Sequence, residues 1–475
     1  MRLKHVDVKD WRILHHPQWE IRSACPIVIG ENGSGKSSLI ELIASIFNEV
    51  FMRLERSAYR GELDGFYINY ERVTDDGTLC DVVIESGYAE GSRPRELQIS
   101  IDGIACSWDN TETIRSVMPA NIIIYYAGDT ERLETISNHY LETTLKAIVG
   151  NGNEYTLQPL NMPSVRPFIY SDMAHLPVSL LSLVVDRQGN NTLDKLNLDR
   201  ASVTLRLWLK RPKWADKEGG GILGNGSPLL EDFLKGLMGN AMMVEIPNKK
   251  TIELEIDANS IADFLNELGI EKKGVFLFEL FDLLQYNGFI DDIDLLWNKN
   301  GNERLEQSIT ADYFSEGEKQ MVLTSAMTEF WGMEHCLFLF DEPDTFLHPK
   351  WQQKFLPEVM DNLRMSQAII TTHSALMVSS ISQDSELFLM NKGSIAPFGR
   401  NTFGMDTNDI NKLVMETPPR NQGADELIQG IRNDITQHRL DEAKAKLEDL
   451  RRYNISSLEI NRLISTINRL ETIGR

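Results

Sequence analysis

The nine residues Gly-Glu-Asn-Gly-Ser-Gly-Lys-Ser-Ser at positions 30–38 constrain this chain more than any other stretch. Gly30, Gly35, Lys36 and Ser37 fit the spacing Gly-x-x-x-x-Gly-Lys-Ser, and Asn32, Gly33 and Ser38 complete the loop. The apolar residues 26–29 precede it, and Leu39, Ile40, Ile43 and Phe47 follow at helical spacing. Strand, glycine loop and helix in that order turn backbone N–H groups inward around a phosphate and add the positive end of a helix dipole. A chance glycine turn requires neither the strand nor the helix. Lys36 is placed to reach the β- and γ-phosphates of ATP, and Ser37 to offer its hydroxyl to Mg²⁺.

Three later stretches supply matching chemistry. Residues 336–343, Cys-Leu-Phe-Leu-Phe-Asp-Glu-Pro, read as an apolar strand ending in two carboxylates. Asp341 at the strand tip suits the Mg²⁺ shell, and Glu342 suits a general base that polarises the attacking water. Alone, the pair would read as a solvated acidic turn. Residues 367–374, Gln-Ala-Ile-Ile-Thr-Thr-His-Ser, form a second apolar run ending at His373, one strand on, where an imidazole can meet the γ-phosphate and the water. Residues 313–320, Tyr-Phe-Ser-Glu-Gly-Glu-Lys-Gln, offer the Ser315 hydroxyl and the Gly317 N–H at a helix start, while Ser315 and Glu318 also have capping-box spacing.

The bulk properties narrow the class. A chain of 475 residues predicts two or three structural units. With 42% hydrophobic and 25% charged residues it has the composition of a globular protein. No apolar run reaches the length of a membrane span, the N-terminus lacks a signal-peptide layout, and the four cysteines form no C-x-x-C pair, so a reducing cytoplasm is expected. A net charge of −22 argues against a broad non-specific nucleic-acid surface. The pattern predicts an α/β fold: a P-loop head of largely parallel core sheet plus an antiparallel lobe, a mixed α/β insertion and an α-helical tail. The expected divisions are residues 1–130 and 306–418 for the head, 131–305 for the insertion and 419–475 for a helical tail that is a candidate partner-binding module.

Together, residues 1–50 and 306–400 resemble the ABC-type ATPase heads of the RecF, SMC and OLD group. By that resemblance residues 30–37 are the Walker A motif, 314–319 the ABC signature, 337–343 the Walker B motif, 344–349 the D-loop region, and His373 the switch histidine. The resemblance implies a homodimer or higher oligomer that sandwiches ATP, with Ser315, Gly317 and Glu318 of one chain facing the ATP held by Lys36 of another. Arg12 resembles the basic residue near the start of such heads that approaches the nucleotide. Two departures stand out: Glu316 and Glu318 occupy the signature, and residues 125–134, where the resemblance places the Q-loop, contain no glutamine.

Within the group the chain most resembles the ATPase (PtuA-type) subunits of Septu anti-phage systems, which work with a separate HNH nuclease subunit. That implies an ATPase controlling a nuclease partner, with nucleic acid reached through the assembly. The alternative is a RecF-like DNA-binding repair ATPase without a nuclease partner. Residues 291–294, Asp-Asp-Ile-Asp, read as a solvated helix start. Residues 206–214 interleave cations with tryptophans and fit either nucleic-acid contact or a packed core beside exposed charges. Glu342→Gln is expected to slow ATP hydrolysis and trap an ATP-bound assembly. Unchanged phosphate release together with an unchanged elution volume in ATP would refute the assignment of the head.

Overall fold

The computed structural model describes residues 1–56, 61, 63–88, 95–128, 131–150, 166–186, 192–196, 198, 203–210, 228–248, 251–296, 313–382, 385–414, 422–452 and 458–473. The chain divides into two compact units, Met1–Gly404 and Met405–Arg475.

A seven-stranded sheet organises the first unit. Its order is Phe168–Ser171, Ile122–Tyr126, Leu337–Asp341, Gln367–Thr372, Cys25–Ile29, Ser385–Asn391 and Ser394–Pro397. The first six strands run parallel and the last pairs antiparallel. The inner strands are buried almost throughout and largely apolar, with polar residues only at their ends. Such strands are what a parallel sheet covered on both faces requires. A six-stranded antiparallel sheet forms a second layer, ordered Gln18–Glu20, Arg2–Val8, Phe66–Val73, Leu79–Ser86, Leu97–Ile101 and Ile104–Ala105.

The helix Lys36–Glu55 shares one core with both sheets. Leu39, Ile43 and Phe47 pack with Val6, Ile68 and Ile84 of the antiparallel sheet and with Ile124, Leu339 and Ile369 of the parallel one. Apolar positions around most of the helix, including Leu42, Ala44 and Ile46, are therefore buried.

A four-stranded antiparallel sheet, ordered Met243–Asn248, Thr251–Asp257, Thr204–Lys210 and Ile290–Leu296, belongs to the same unit. Leu205, Leu207 and Leu209 alternate inward. On the other face Arg206 pairs with Glu255, and Lys210 Nζ lies 3.2 Å from Asp291 Oδ1. The cations in the described half of the 206–214 stretch thus have carboxylate partners, and residues 211–214 lie outside the described residues, as does most of the glycine-rich stretch 217–228. Residues 291–294, expected to start a helix, are in a strand. The register slips opposite Trp208 and Leu209, so Ile290 and Ile293 are both buried three residues apart, which mimics helical spacing.

The most apolar helix, Leu176–Val185, is a buried core element. Among the described residues no helix is long and apolar enough to cross a membrane. A polar network packs beside it. Arg166 Nη1 lies 2.7 Å from Asp282 Oδ2, and His175 bridges Asp282 at 3.2 Å and Asp172 at 2.8 Å. Burial alone would push the His175 imidazole down, but the hydrogen bonds to Asp172 and Asp282 override it and hold it up at about 10.

The second unit contains the short helix Thr407–Leu413 and the three helices Gln422–Thr436, Leu440–Arg452 and Leu458–Ile473. The three long helices close around Ile428, Ile431, Ala443, Leu447, Leu450, Ile460 and Ile467. Asp434, buried in the last turn of the first of these helices, accepts from Arg439 and Lys446, each at 2.6 Å.

Asp282→Ala would leave the Arg166 and His175 cations short of counter-charge in the interior. The expected cost is about 3–5 kcal/mol. It should appear as a lower urea midpoint with an unchanged slope.

Candidate nucleotide site

The parallel register builds the site. Asp341 pairs with Thr371, and Thr372 pairs with Ile29, so three strand ends converge where the glycine loop begins. Gly33 (φ 75°) and Gly35 (φ 113°) adopt left-handed backbone that favours glycine. At Gly30 a Cβ would lie 2.2 Å from the Met390 carbonyl oxygen and 2.6 Å from Ser34 Oγ. Gly35 caps the following helix without any side-chain hydrogen bond, which leaves the first-turn N–H groups open to an anion.

Lys36 is 4% exposed and points back into the loop. Its Nζ donates to the carbonyls of Gly30 at 3.1 Å and Glu31 at 3.2 Å. His373 Nε2 stands 2.6 Å from the same Nζ, and Glu342 Oε1 stands 3.9 Å away. His373 Nε2 also lies 3.1 Å from Glu342 Oε1. Loop, acidic strand and histidine strand thus bring their predicted residues into one cluster. Burial lowers the Lys36 pKa, and Glu342, Asp341 and Asp344 pull it back up. The hydrogen bond from His373 holds the Glu342 carboxyl below its ordinary value. That keeps Glu342 ionised, as a base must be.

Asp341 is buried and takes hydrogen bonds from the hydroxyls of Ser37 and Thr371, while burial raises its pKa. This pairing of hydroxyl and carboxylate fits an Mg²⁺ ion that draws its remaining oxygens from phosphate and water. Among the described residues no cluster of three or more His, Cys, Asp or Glu could hold a metal unaided. When bound, Mg²⁺ would neutralise phosphate charge; the protein's part is Ser37 and Asp341. Asn32 and Gly33 are exposed at the loop crest, and Ser38 lies half-buried in the first helical turn.

Arg12 sits at φ 55° in the turn of the hairpin Asp10–Trp11/Leu14–His15. Its guanidinium lies 3.9 Å above the Trp11 ring and pairs with Glu41 of the loop helix. Arg12 is thus engaged one helical turn beyond the glycine loop. Ser315 caps the helix Glu316–Trp331 through a complete capping box with Glu318. Ser315 Oγ and Ser315 N both lie 2.9 Å from Glu318 Oε2. Among the described residues no hydrogen bond or ion pair joins Ser315, Gly317 or Glu318 to the glycine loop of the same chain. After the strand Ile122–Tyr126, where a glutamine would be expected, Ala127 N approaches the Asp341 carbonyl at 3.4 Å.

Sequence reasoning missed several supports. Thr371 and Thr372 donate to Asp341 and Asp344 respectively, and the Thr-Thr-His run at the strand end was the available signal. Gly393 braces the glycine loop from outside: its N–H donates to Ser34 O at 2.8 Å and its carbonyl accepts from His15 N at 3.1 Å. At φ 80°, with Ile13 O only 1.8 Å from where a Cβ would stand, this position demands glycine.

Strand order and glycine loop together define a mixed α/β fold of P-loop type, with a parallel core sheet, antiparallel sheets and C-terminal helices. A family model described as "AAA domain, putative AbiEii toxin, Type IV TA system" matches residues 242–379, a span that holds Ser315, Asp341, Glu342 and His373 but not the glycine loop. No curated protein matches the chain. Among solved structures, an SMC head bound to the C-terminal winged-helix domain of ScpA is similar, at 10% identity and TM-score 0.37, covering 84% of this chain and 97% of that one. The SMC head domain from Thermotoga maritima is 13% identical, TM-score 0.35, with coverages of 84% and 99%. The ATP-bound recombination mediator RecF is 16% identical, TM-score 0.33, with coverages of 83% and 97%.

Asp344 gives a pH prediction. It is 5% exposed, and burial pushes its carboxyl from 3.8 up to about 6 despite the Thr372 hydrogen bond. A carboxyl with a higher pKa folded than unfolded costs stability as pH rises from about 4 to about 6, and the cost is complete above that. Asp344→Asn is therefore expected to gain up to about 3 kcal/mol at pH 8. The gain should vanish as pH falls towards 4, measured by denaturant unfolding across that window.

Proposed function

We propose that the chain is the ATP-binding and ATP-hydrolysing subunit of an assembly that controls a separate nuclease in defence against phage. The observation that carries the ATPase part is the cluster in which Glu342 Oε1 lies 3.1 Å from His373 Nε2 and 3.9 Å from Lys36 Nζ. There an ionised carboxylate polarises the attacking water, the imidazole orients it, and the lysine carries positive charge to where phosphate negative charge develops. The first turn of the loop helix holds the phosphates through its free N–H groups.

A switching role is supported by the separation of the two anion-binding features. Among the described residues the Ser315 helix start makes no bond to the glycine loop of its own chain, and in the proposed assembly an ATP held by Lys36 meets the Ser315 helix start of a second copy. ATP then joins two chains, and hydrolysis at Glu342 releases them. The family description at residues 242–379 refers to a toxin of a toxin–antitoxin system, which agrees with control of an effector. The helical unit Met405–Arg475, with a core of its own, suits a docking module for the HNH-type partner. ATP and Mg²⁺ are the proposed cofactors, held by Lys36, Ser37 and Asp341.

Two measurements test this. Lys36→Ala should weaken ATP binding about 10- to 100-fold through loss of a charged hydrogen-bond donor, read by titration calorimetry. Mass spectrometry of the tagged chain, expressed from its native locus in ATP and Mg²⁺, should find a stoichiometric small HNH-type protein. A homo-oligomer holding only DNA would instead favour a RecF-like repair role.

A further inference from the structure

The backbone at Glu342 is held in an unusual state. Its φ is +52°, a left-handed conformation that a non-glycine residue adopts only when its surroundings impose it. Glu342 N donates to Thr371 O and Thr371 Oγ1, both at 3.1 Å. The Glu342 carbonyl accepts from Thr345 N at 3.2 Å and Thr345 Oγ1 at 2.9 Å. The loop 344–348 therefore sets the pose of the candidate base.

Two glutamines clamp that loop from two helices. Gln352 Nε2 donates to Asp344 O at 3.1 Å and Leu347 O at 3.0 Å, and its Oε1 accepts from Ser374 Oγ at 2.8 Å, beside His373. Gln320 reaches the loop from the helix Glu316–Trp331. It is completely buried, and its Oε1 accepts from Phe346 N at 3.3 Å. The buried Tyr125 hydroxyl lies beside its carboxamide. Gly317, one turn earlier on the same helix, packs so close that a Cβ would stand 3.1 Å from Phe346 O.

From this we infer that Gln320 is a positioning residue, coupled to Glu342 through the 344–348 loop. The inference rests on the ATPase reading above. Gln320 fixes Phe346 from the helix Glu316–Trp331, and Thr345, the neighbour of Phe346, fixes the Glu342 carbonyl. Loss of the Gln320 acceptor therefore loosens the candidate base without touching it.

Gln320→Met keeps the length and loses the acceptor, whereas Gln320→Glu keeps an acceptor for Phe346 N–H and offers a second oxygen to the Tyr125 hydroxyl. The full chain is assayed for steady-state ATP turnover and for thermal unfolding. Gln320→Met should lower kcat about tenfold, the worth of one hydrogen bond, with KM for ATP unchanged. Gln320→Glu should keep kcat within about twofold of wild type. Thr345→Val, at an exposed position, should lower kcat in the same way without touching the core and covers the case in which Gln320→Met does not fold. Wild-type kcat in Gln320→Met or Thr345→Val overturns the coupling while leaving the ATPase reading intact. Equal falls in kcat and melting temperature for both Gln320 variants also overturn it, since they would mean packing alone. Absence of turnover in the wild-type chain fails the ATPase reading, and the inference with it.

Discussion

The site depends on the parallel pairing of Leu337–Asp341 with Gln367–Thr372. That pairing sets Asp341 opposite Thr371 and places His373 one residue past the strand end, within reach of Glu342. Parallel strands need covered faces, so the middle of both is apolar, and polar residues lie at their ends, with Gln367 at the start of one satisfied by the backbone of Leu3 and Ser23. The loop helix and the antiparallel sheet cover one face. Carboxylates, hydroxyls and imidazole therefore gather at one sheet edge because the rest of each strand has no room for them.

Much of this was legible in the sequence. Gly30, Gly35 and Lys36 could be read because glycine spacing records backbone conformation directly, and the structure shows that conformation at Gly33 and Gly35. The two apolar strands and their acidic and histidine ends could be read because burial on both faces leaves an unmistakable run. The strand at residues 290–296 was hidden because a register slip gave it helical spacing. The braces were hidden for a different reason. Gly393 meets Ser34 and His15, and Gln320 meets Phe346, across distances in sequence that no local pattern encodes.

Arg12 shows how a residue's type can be informative and its engagement not. Its position near the loop follows from the hairpin at residues 10–15, but its partner, Glu41, is set by the rotation of the loop helix. The same holds for the 206–214 stretch, where Arg206 and Lys210 meet carboxylates supplied by neighbouring strands.

The strand Cys25–Ile29 lies between Gln367–Thr372 and Ser385–Asn391. On a ribosome the glycine loop is thus made first and its sheet last. At about 5–20 residues per second, roughly 20–70 s separate synthesis of that strand from synthesis of its neighbours. Through that interval residues 26–29 have no neighbouring strand to pair with, although the helix behind the loop can already pack on the antiparallel sheet of residues 2–105. The nucleotide site is among the last parts of its unit to mature, and its apolar strand is what the nascent chain must keep from aggregating.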